Sequence, residues 1–201
     1  MKKLILASSS PRRQEILNML GVPFEIIPSD ADEDLANRTG LPHEVAAEIS
    51  LLKAQSVASS LKSGLVIGAD TVVALDDKIY GKPCSYDEGY KMLESLSGRH
   101  HFVITGFTVV DVESSSYISS YEKTKVSLCP LPDQSIRAYL DSGEYKDKAG
   151  AYAIQNRFGL FVKGIEGCYF NVVGLPIYKL SLVLQNFGYD FSSFWAKTPL
   201  T

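Results

Sequence analysis

Five charged side chains in this 201-residue chain stand where charge calls for a purpose. Asp70 interrupts an otherwise apolar run, Leu65 to Leu75, that should be largely buried. An ionised carboxylate there needs a metal, a cation or a catalytic role to offset its desolvation, unless it simply caps a turn at a strand end. Arg13 closes Ser8-Ser9-Ser10-Pro11-Arg12-Arg13, a polar segment between an apolar run and a helix start. Backbone N–H groups, hydroxyls and guanidinium groups converge in such a segment as an anion site, the alternative being an ordinary N-cap with two solvated arginines. Lys53 lies beside the apolar stripe of a long helix, Lys82 is set between Gly81 and Pro83, and Glu33 belongs to the acidic stretch Asp30, Asp32, Glu33, Asp34. Singly, Lys53 reads as a snorkelling lysine and the other two as solvated charges. Together, Arg13, Lys53 and Lys82 with Glu33 and Asp70 resemble what hydrolysis of a polyphosphate requires. Cations neutralise phosphate oxygens while carboxylates hold a divalent metal and orient water. Spacing alone leaves open whether the five meet in space.

Other chemistries find less support. The chain has neither Gly-x-x-x-x-Gly-Lys-Ser/Thr nor Gly-x-Gly-x-x-Gly, and no Gly-x-Ser-x-Gly elbow. Of the three histidines, His100 and His101 are adjacent and point to opposite faces of a strand, so they are poor partners for one metal. Lys plus Arg is 20 and Asp plus Glu is 23, a formal charge of −3, which lacks the basic excess that long nucleic-acid tracts demand but leaves room for a local cationic pocket. Cys84, Cys129 and Cys168 are odd in number and scattered, which argues against a disulfide framework or a structural zinc and fits a reducing cytosol. The opening run Leu4 to Ala7 is too short for a signal peptide, and no stretch reaches the ~18 apolar residues of a membrane span. The expectation is a cytoplasmic protein with no membrane partner. At 45% hydrophobic and 21% charged residues the chain is of ordinary globular composition, which excludes disorder, collagen-like repeats and coiled coil.

The elements that must position these residues follow from local pattern. Leu4 to Ala7 predicts a buried strand, and Ser10-Pro11 supplies an N-cap and first-turn proline for a helix running to about Leu20. A strand is expected at Phe24–Ile27, a loop at Ser29–Thr39 and a longer helix from Pro42 to about Leu61. Apolar runs Leu65–Ala69 and Thr71–Leu75 flank Asp70, Asp76-Asp77 reads as a turn, and Tyr86–Leu96 as a helix. Phe102–Val112 and Tyr117–Leu128 read as a hairpin joined by Glu113-Ser114-Ser115-Ser116. A helix over Asp133–Leu140, an irregular stretch Asp147–Gln155, a strand at Leu160–Val162 and a closing helix at Leu175–Gln185 complete the order. Strands and helices mix without strict alternation, so the class is a mixed-sheet α/β protein. Residues 1–188 read as one domain and 189–201 as a C-terminal tail.

Six motifs in order give the chain a resemblance to a known family. They are Leu6-Ala7-Ser8-Ser9-Ser10-Pro11-Arg12-Arg13, Gly68-Ala69-Asp70-Thr71-Val72-Val73, Gly81-Lys82-Pro83, Leu96-Ser97-Gly98-Arg99, Asp147-Lys148-Ala149-Gly150-Ala151-Tyr152 with Gln155, and Asn171-Val172-Val173-Gly174-Leu175-Pro176. The chain resembles the Maf family of nucleoside triphosphate pyrophosphatases from Leu4 to about Asn186. The resemblance implies a mixed, elongated sheet flanked by helices, similar to inosine triphosphate pyrophosphatases, with two lobes around a cleft. It implies hydrolysis between the α- and β-phosphates with a divalent cation, magnesium or manganese, as cofactor. Asp70 matches the proton acceptor that activates water, and Ser8, Arg13, Glu33, Lys53 and Lys82 match the other polar positions, with Glu33 beside Asp70 as the metal-holding carboxylates. Arg12, Thr71 and Gln155 match the three positions that separate the dTTP/UTP branch from a 7-methyl-GTP branch, which carries Trp, Gln and Glu there. Ser9, where many relatives have glycine, and Asn156-Arg157 after Gln155 depart from the common pattern. The partner implied is a nucleoside triphosphate, and the resemblance leans toward a homodimer. A nucleotide-binding regulator of cell division is the competing reading.

Overall fold

The structure, a computed structural model, describes residues 2–31, 40–76 and 78–195. The elements are β1 (Leu4–Leu6), α1 (Pro11–Met19), β2 (Phe24–Ile26), α2 (Pro42–Ala58), β3 (Leu65–Leu75), β4 (Lys78–Tyr80), α3 (Tyr86–Leu96), β5 (His100–Asp111), β6 (Ser116–Leu128), α4 (Asp133–Asp141), β7 (Val162–Glu166), α5 (Tyr169–Val173), α6 (Ile177–Asn186) and α7 (Ser192–Trp195). Among the described residues they form one seven-stranded sheet in the order β2-β1-β3-β5-β6-β7, with β4 paired to β3. β1 runs parallel to both β2 and β3, and the remaining pairs are antiparallel. The mixed-sheet α/β class expected from the sequence is the observed one.

β3 is the strand on which the site depends. Its start pairs with β1 from Leu65 to Ile67, and its end pairs with β4 from Val73 to Leu75. Between Ile67 and Val73 that edge has no strand neighbour, while the other edge stays paired with β5 throughout. Such a switch in strand neighbours leaves a crevice at the carboxyl end of the parallel strand, here β1. Successive side chains on a strand point to opposite faces. Leu65, Ile67 and Ala69 join one core cluster with Leu17, Phe107 and Leu184, whereas Val73 and Leu75 join a second with Leu93, Leu96 and Tyr139. Thr71 lies between these two apolar bodies, and Asp70 faces the other way, toward α2.

α2 lies unusually close to the sheet because two glycines receive it. A Cβ at Gly68 would stand 2.7 Å from the Ala54 N and 2.9 Å from the Ala54 Cβ, and one at Gly106 would collide with the Ala46 carbonyl. Gly106 is the residue directly opposite Asp70 in the β3–β5 ladder. The absence of both side chains lets the helix backbone touch the strands, and this approach brings the α2 side chains over Asp70.

Several local expectations are corrected. Ser10 occupies the N-cap of α1 but makes no side-chain cap; the Ser8 Oγ accepts from the Ser10 N–H instead, at 3.2 Å. The strand expected at Leu160–Val162 is a 3-10 turn over Asn156–Phe161 followed by β7, and Leu160 is 85% exposed. β7 exists because its backbone pairs with Lys125–Leu128 of β6, a partner distant in sequence. The closing helix expected at Leu175–Gln185 is α6, which begins after Pro176, but local pattern missed the short α5 before it, capped by Gly174, whose φ of 124° suits glycine. Tyr189 and Phe191, in the segment read as a tail, are buried in the first core cluster.

Candidate active site

A cavity of about 580 Å³ opens at the unpaired edge of β3. Its wall includes Ser8 from the β1–α1 loop, Arg12 and Arg13 from the first turn of α1, and Lys53 from α2. Asp70 and Thr71 of β3, Lys82 after β4, and Lys148, Tyr152 and Gln155 from the glycine-punctuated stretch complete it, with Gly174 closing one side. Arginines in the first turn oppose the helix macrodipole, so helix preference does not account for their position. Because the edge is open, Asp70 and Thr71 reach the same cavity from opposite faces of one strand. Five cations, Arg12, Arg13, Lys53, Lys82 and Lys148, face two carboxylates, Asp70 and Asp147, among the described lining residues. In a chain of net charge −3 this is a strong local excess of positive charge.

The Lys53 Nζ donates to the Asp70 Oδ1 at 2.7 Å, with both side chains about nine-tenths covered. Arg13 is held at three donors: Nε to the Gly174 carbonyl at 2.9 Å, Nη1 to the Ser8 Oγ at 3.2 Å, and Nη2 to the Thr71 Oγ1 at 3.1 Å. Burial lowers the pKa of Arg12 below the usual arginine value, partly countered by Glu15. Lys148 is also lowered, by burial first and then by the positive charge of Arg12, with Lys82 contributing in the same direction. Two cations that repel each other beside a third are arranged for an anion.

Tyr152 is the aromatic residue among the described lining residues. Tyr152 packs on Phe158 with ring centroids 4.6 Å apart, and its hydroxyl meets the His101 Nε2 at 2.6 Å. His101 is fully buried and its Nδ1 has no hydrogen-bond partner; burial, and His100 beside it, push its pKa down to about 4. Burial raises the Tyr152 phenol well above the ordinary tyrosine value. The pair is therefore neutral at physiological pH and rigidly placed.

Among the described residues no group of three His, Cys, Asp or Glu side chains is close enough to cage a metal. A magnesium-type ion needs less: one or two carboxylates, with phosphate and water oxygens filling the octahedron. Asp70, a carboxylate among cations, fits that donor set when the remaining ligands come from a polyphosphate.

Of the residues singled out from sequence, Ser8, Arg12, Arg13, Lys53, Asp70, Thr71, Lys82 and Gln155 all line this cavity, and Glu33 lies outside the described residues. Thr71 departs from a simple pocket role, because its hydroxyl is bonded to Arg13 and to the Thr105 Oγ1. Lys148 was not singled out by the sequence, although it lies inside the Asp147–Tyr152 motif. The signal that could have found it is a lysine beside paired small residues, Ala149 and Gly150, in a segment too irregular to be a mere solvated helix face.

Comparison with known proteins agrees with this geometry. The family model described as Maf-like protein matches residues 3–187. A protein of Alkaliphilus oremlandii named dTTP/UTP pyrophosphatase is 50% identical over 187 residues, covering 92% of this chain and 96% of its own. One of the same name from Ruminiclostridium cellulolyticum is 45% identical over 185 residues, with 92% and 96% covered. The solved structure of the Staphylococcus aureus Ham1 protein shares the fold, with a TM-score of 0.54 over 92% of this chain and all of that one, at 13% identity. A family match spanning nearly the whole chain, on a fold that brings residues of five of the six motifs to one cavity, means that this chain belongs to the Maf family.

Proposed function

We propose that the protein hydrolyses dTTP and UTP to the nucleoside monophosphate and pyrophosphate. The observation that carries this reading is the gathering of five cations and the Asp70 carboxylate around one cavity of a net acidic chain. Water attacks the α-phosphorus, the bond from that phosphorus to the oxygen bridging to the β-phosphate breaks, and pyrophosphate leaves with the electron pair. Asp70 takes the proton of the attacking water, and the Lys53 ammonium orients it through Oδ1. Arg13 and Lys82 with Lys148 and Ser8 bind the phosphate chain, Arg13 as a planar clamp and the lysines as point charges. A bound magnesium or manganese ion, held by Asp70 with Glu33, would neutralise charge on the phosphate oxygens.

Base selection falls to other residues of the same cavity wall. A glutamine amide both donates and accepts, which suits the carbonyl and N–H edge of uracil or thymine, and Gln155 with Arg12 and Thr71 carries that selection. On this reading residues 1–188 work as one domain, in the cytoplasm, as a homodimer. The relatives named dTTP/UTP pyrophosphatase at 45–50% identity support the branch. The test is a substrate panel of dTTP, UTP, CTP, ATP, GTP and 7-methyl-GTP with magnesium or manganese, the products resolved by ion exchange. Monophosphate plus pyrophosphate from dTTP and UTP is the expected result. Diphosphate plus phosphate, or preference for 7-methyl-GTP, would refute it.

A further inference from the structure

From the cavity wall a chain of polar groups runs back into the buried interior. Thr105 of β5 is fully buried and is not among the described residues that line the cavity. Its Oγ1 donates to the Asn171 backbone carbonyl at 2.9 Å and meets the Thr71 Oγ1 at 3.0 Å. A hydroxyl has one hydrogen, and a carbonyl can only accept, so the Thr105 hydrogen is committed to Asn171. The Thr71 hydrogen therefore points at Thr105, and Thr71 presents only lone pairs to the guanidinium of Arg13, which donates from Nη2 at 3.1 Å. The chain runs one way, from Arg13 through Thr71 and Thr105 to Asn171.

Its far end is anchored. The Asn171 side chain, also fully buried, accepts from the Thr105 N–H at 3.1 Å and donates to the Val103 carbonyl at 3.0 Å and to the Thr124 Oγ1 at 2.9 Å. Three residues on, the Gly174 carbonyl accepts from the Arg13 Nε at 2.9 Å. One short segment, Asn171 to Gly174, thus grips Arg13 twice, directly through Gly174 and indirectly through Thr105 and Thr71. We propose that Thr105 is a positioning residue: by fixing the direction of the Thr71 hydroxyl it aims the Arg13 guanidinium at the phosphate chain, an inference that rests on the polyphosphate reading of the cavity. A guanidinium held before the ligand arrives forfeits less rotamer freedom on binding.

The test compares Thr105→Val with Thr105→Ser, each in the wild-type and Arg13→Lys backgrounds. Calorimetry reads the Kd for inorganic tripolyphosphate, turnover of UTP is followed in parallel, and thermal unfolding accompanies each variant. Thr105→Val is expected to raise the tripolyphosphate Kd about tenfold, the scale of one misdirected hydrogen bond to a charged group, while Thr105→Ser stays within about twofold of wild type. In the Arg13→Lys background Thr105→Val is expected to add less than about twofold, because the group it positions is gone. Wild-type affinity in Thr105→Val, or the same tenfold loss on top of Arg13→Lys, would overturn the proposal, the latter by marking a general loosening. Should Thr105→Val fail to fold, Thr105→Cys keeps its volume with a weak hydrogen-bonding group and carries the same expectation. Tripolyphosphate binding with this pattern but no hydrolysis of any nucleoside triphosphate would refute the hydrolase reading and leave the Thr105 assignment standing. A wild-type protein that binds no tripolyphosphate would overturn both.

Discussion

Gly68→Ala tests whether the approach of α2 to the sheet sets the Lys53–Asp70 pair. The added methyl would stand 2.9 Å from the Ala54 Cβ and 2.7 Å from the Ala54 N. Carbon atoms sit at ease about 3.5–4.0 Å apart, so the helix must lift by roughly 1 Å. Lys53 is one residue before Ala54 and rides the same turn, which stretches its 2.7 Å bond to Asp70 past hydrogen-bonding reach. Misplacing a catalytic group by that distance costs on the order of 100-fold in rate. Overpacking costs about 1–3 kcal/mol, a fall in Tm of roughly 5 °C for a domain of this size. The assay is kcat/KM on UTP beside thermal unfolding, with Gly164→Ala as the control. A Cβ at Gly164 meets nothing within 4 Å, so that variant should match wild type in both. A Gly68→Ala protein that loses stability but keeps its rate would refute the reasoning, since the helix would have moved without consequence for the pair.

Asp70→Asn keeps the shape of the side chain and removes its capacity to take a proton; kcat on UTP should fall about 10²–10⁴-fold with a native circular dichroism spectrum, and retained turnover would exclude Asp70 as the base. Lys148→Met removes a cation repelled by Arg12 and Lys82, so Tm should hold or rise while KM for UTP rises about tenfold; an unchanged KM would take Lys148 out of the phosphate site. His101 binds its proton in the unfolded chain near pH 6.5 but in the folded one only near pH 4, so between these values the unfolded state carries more protons. Its contribution, on the order of 3 kcal/mol, is present above pH 6.5 and is lost as pH falls toward 4. Urea unfolding of wild type and His101→Asn at pH 7.5 and 4.5 checks this, and equal pH dependence of the two proteins would contradict it.

The inventory of the site was legible before any coordinates because its chemistry is written in residue type. A carboxylate inside Leu65–Leu75 is costly by itself, whereas the paired arginines after Ser8-Ser9-Ser10-Pro11 and the lysine between Gly81 and Pro83 gain meaning only as a set. The α/β class and the extent of α2 were legible as well, since apolar periodicity is a short-range signal. What local pattern misread were elements that owe their existence to remote partners. β7 is held by β6, about forty residues earlier, and propensity at Leu160 points the wrong way. α5 is only five residues long and is fixed by the bonds of Asn171 to β5 and β6.

By itself, the sequence determined which groups are present: the five cations, the carboxylate, the small residues at positions 68 and 106, and the hydroxyls of Thr71 and Thr105. Only the tertiary structure decided that β3 runs unbroken through Asp70 with one edge open between β1 and β4, so that neighbours on opposite faces serve one cavity. It also decided that two glycines seat α2 against the strands, and that a threonine behind the wall directs the hydroxyl that holds Arg13. The reason is one of range. Charge, hydrophobicity and backbone preference belong to each residue, whereas strand neighbours, helix height and the direction of a buried hydrogen bond exist only between segments that meet after the chain has folded.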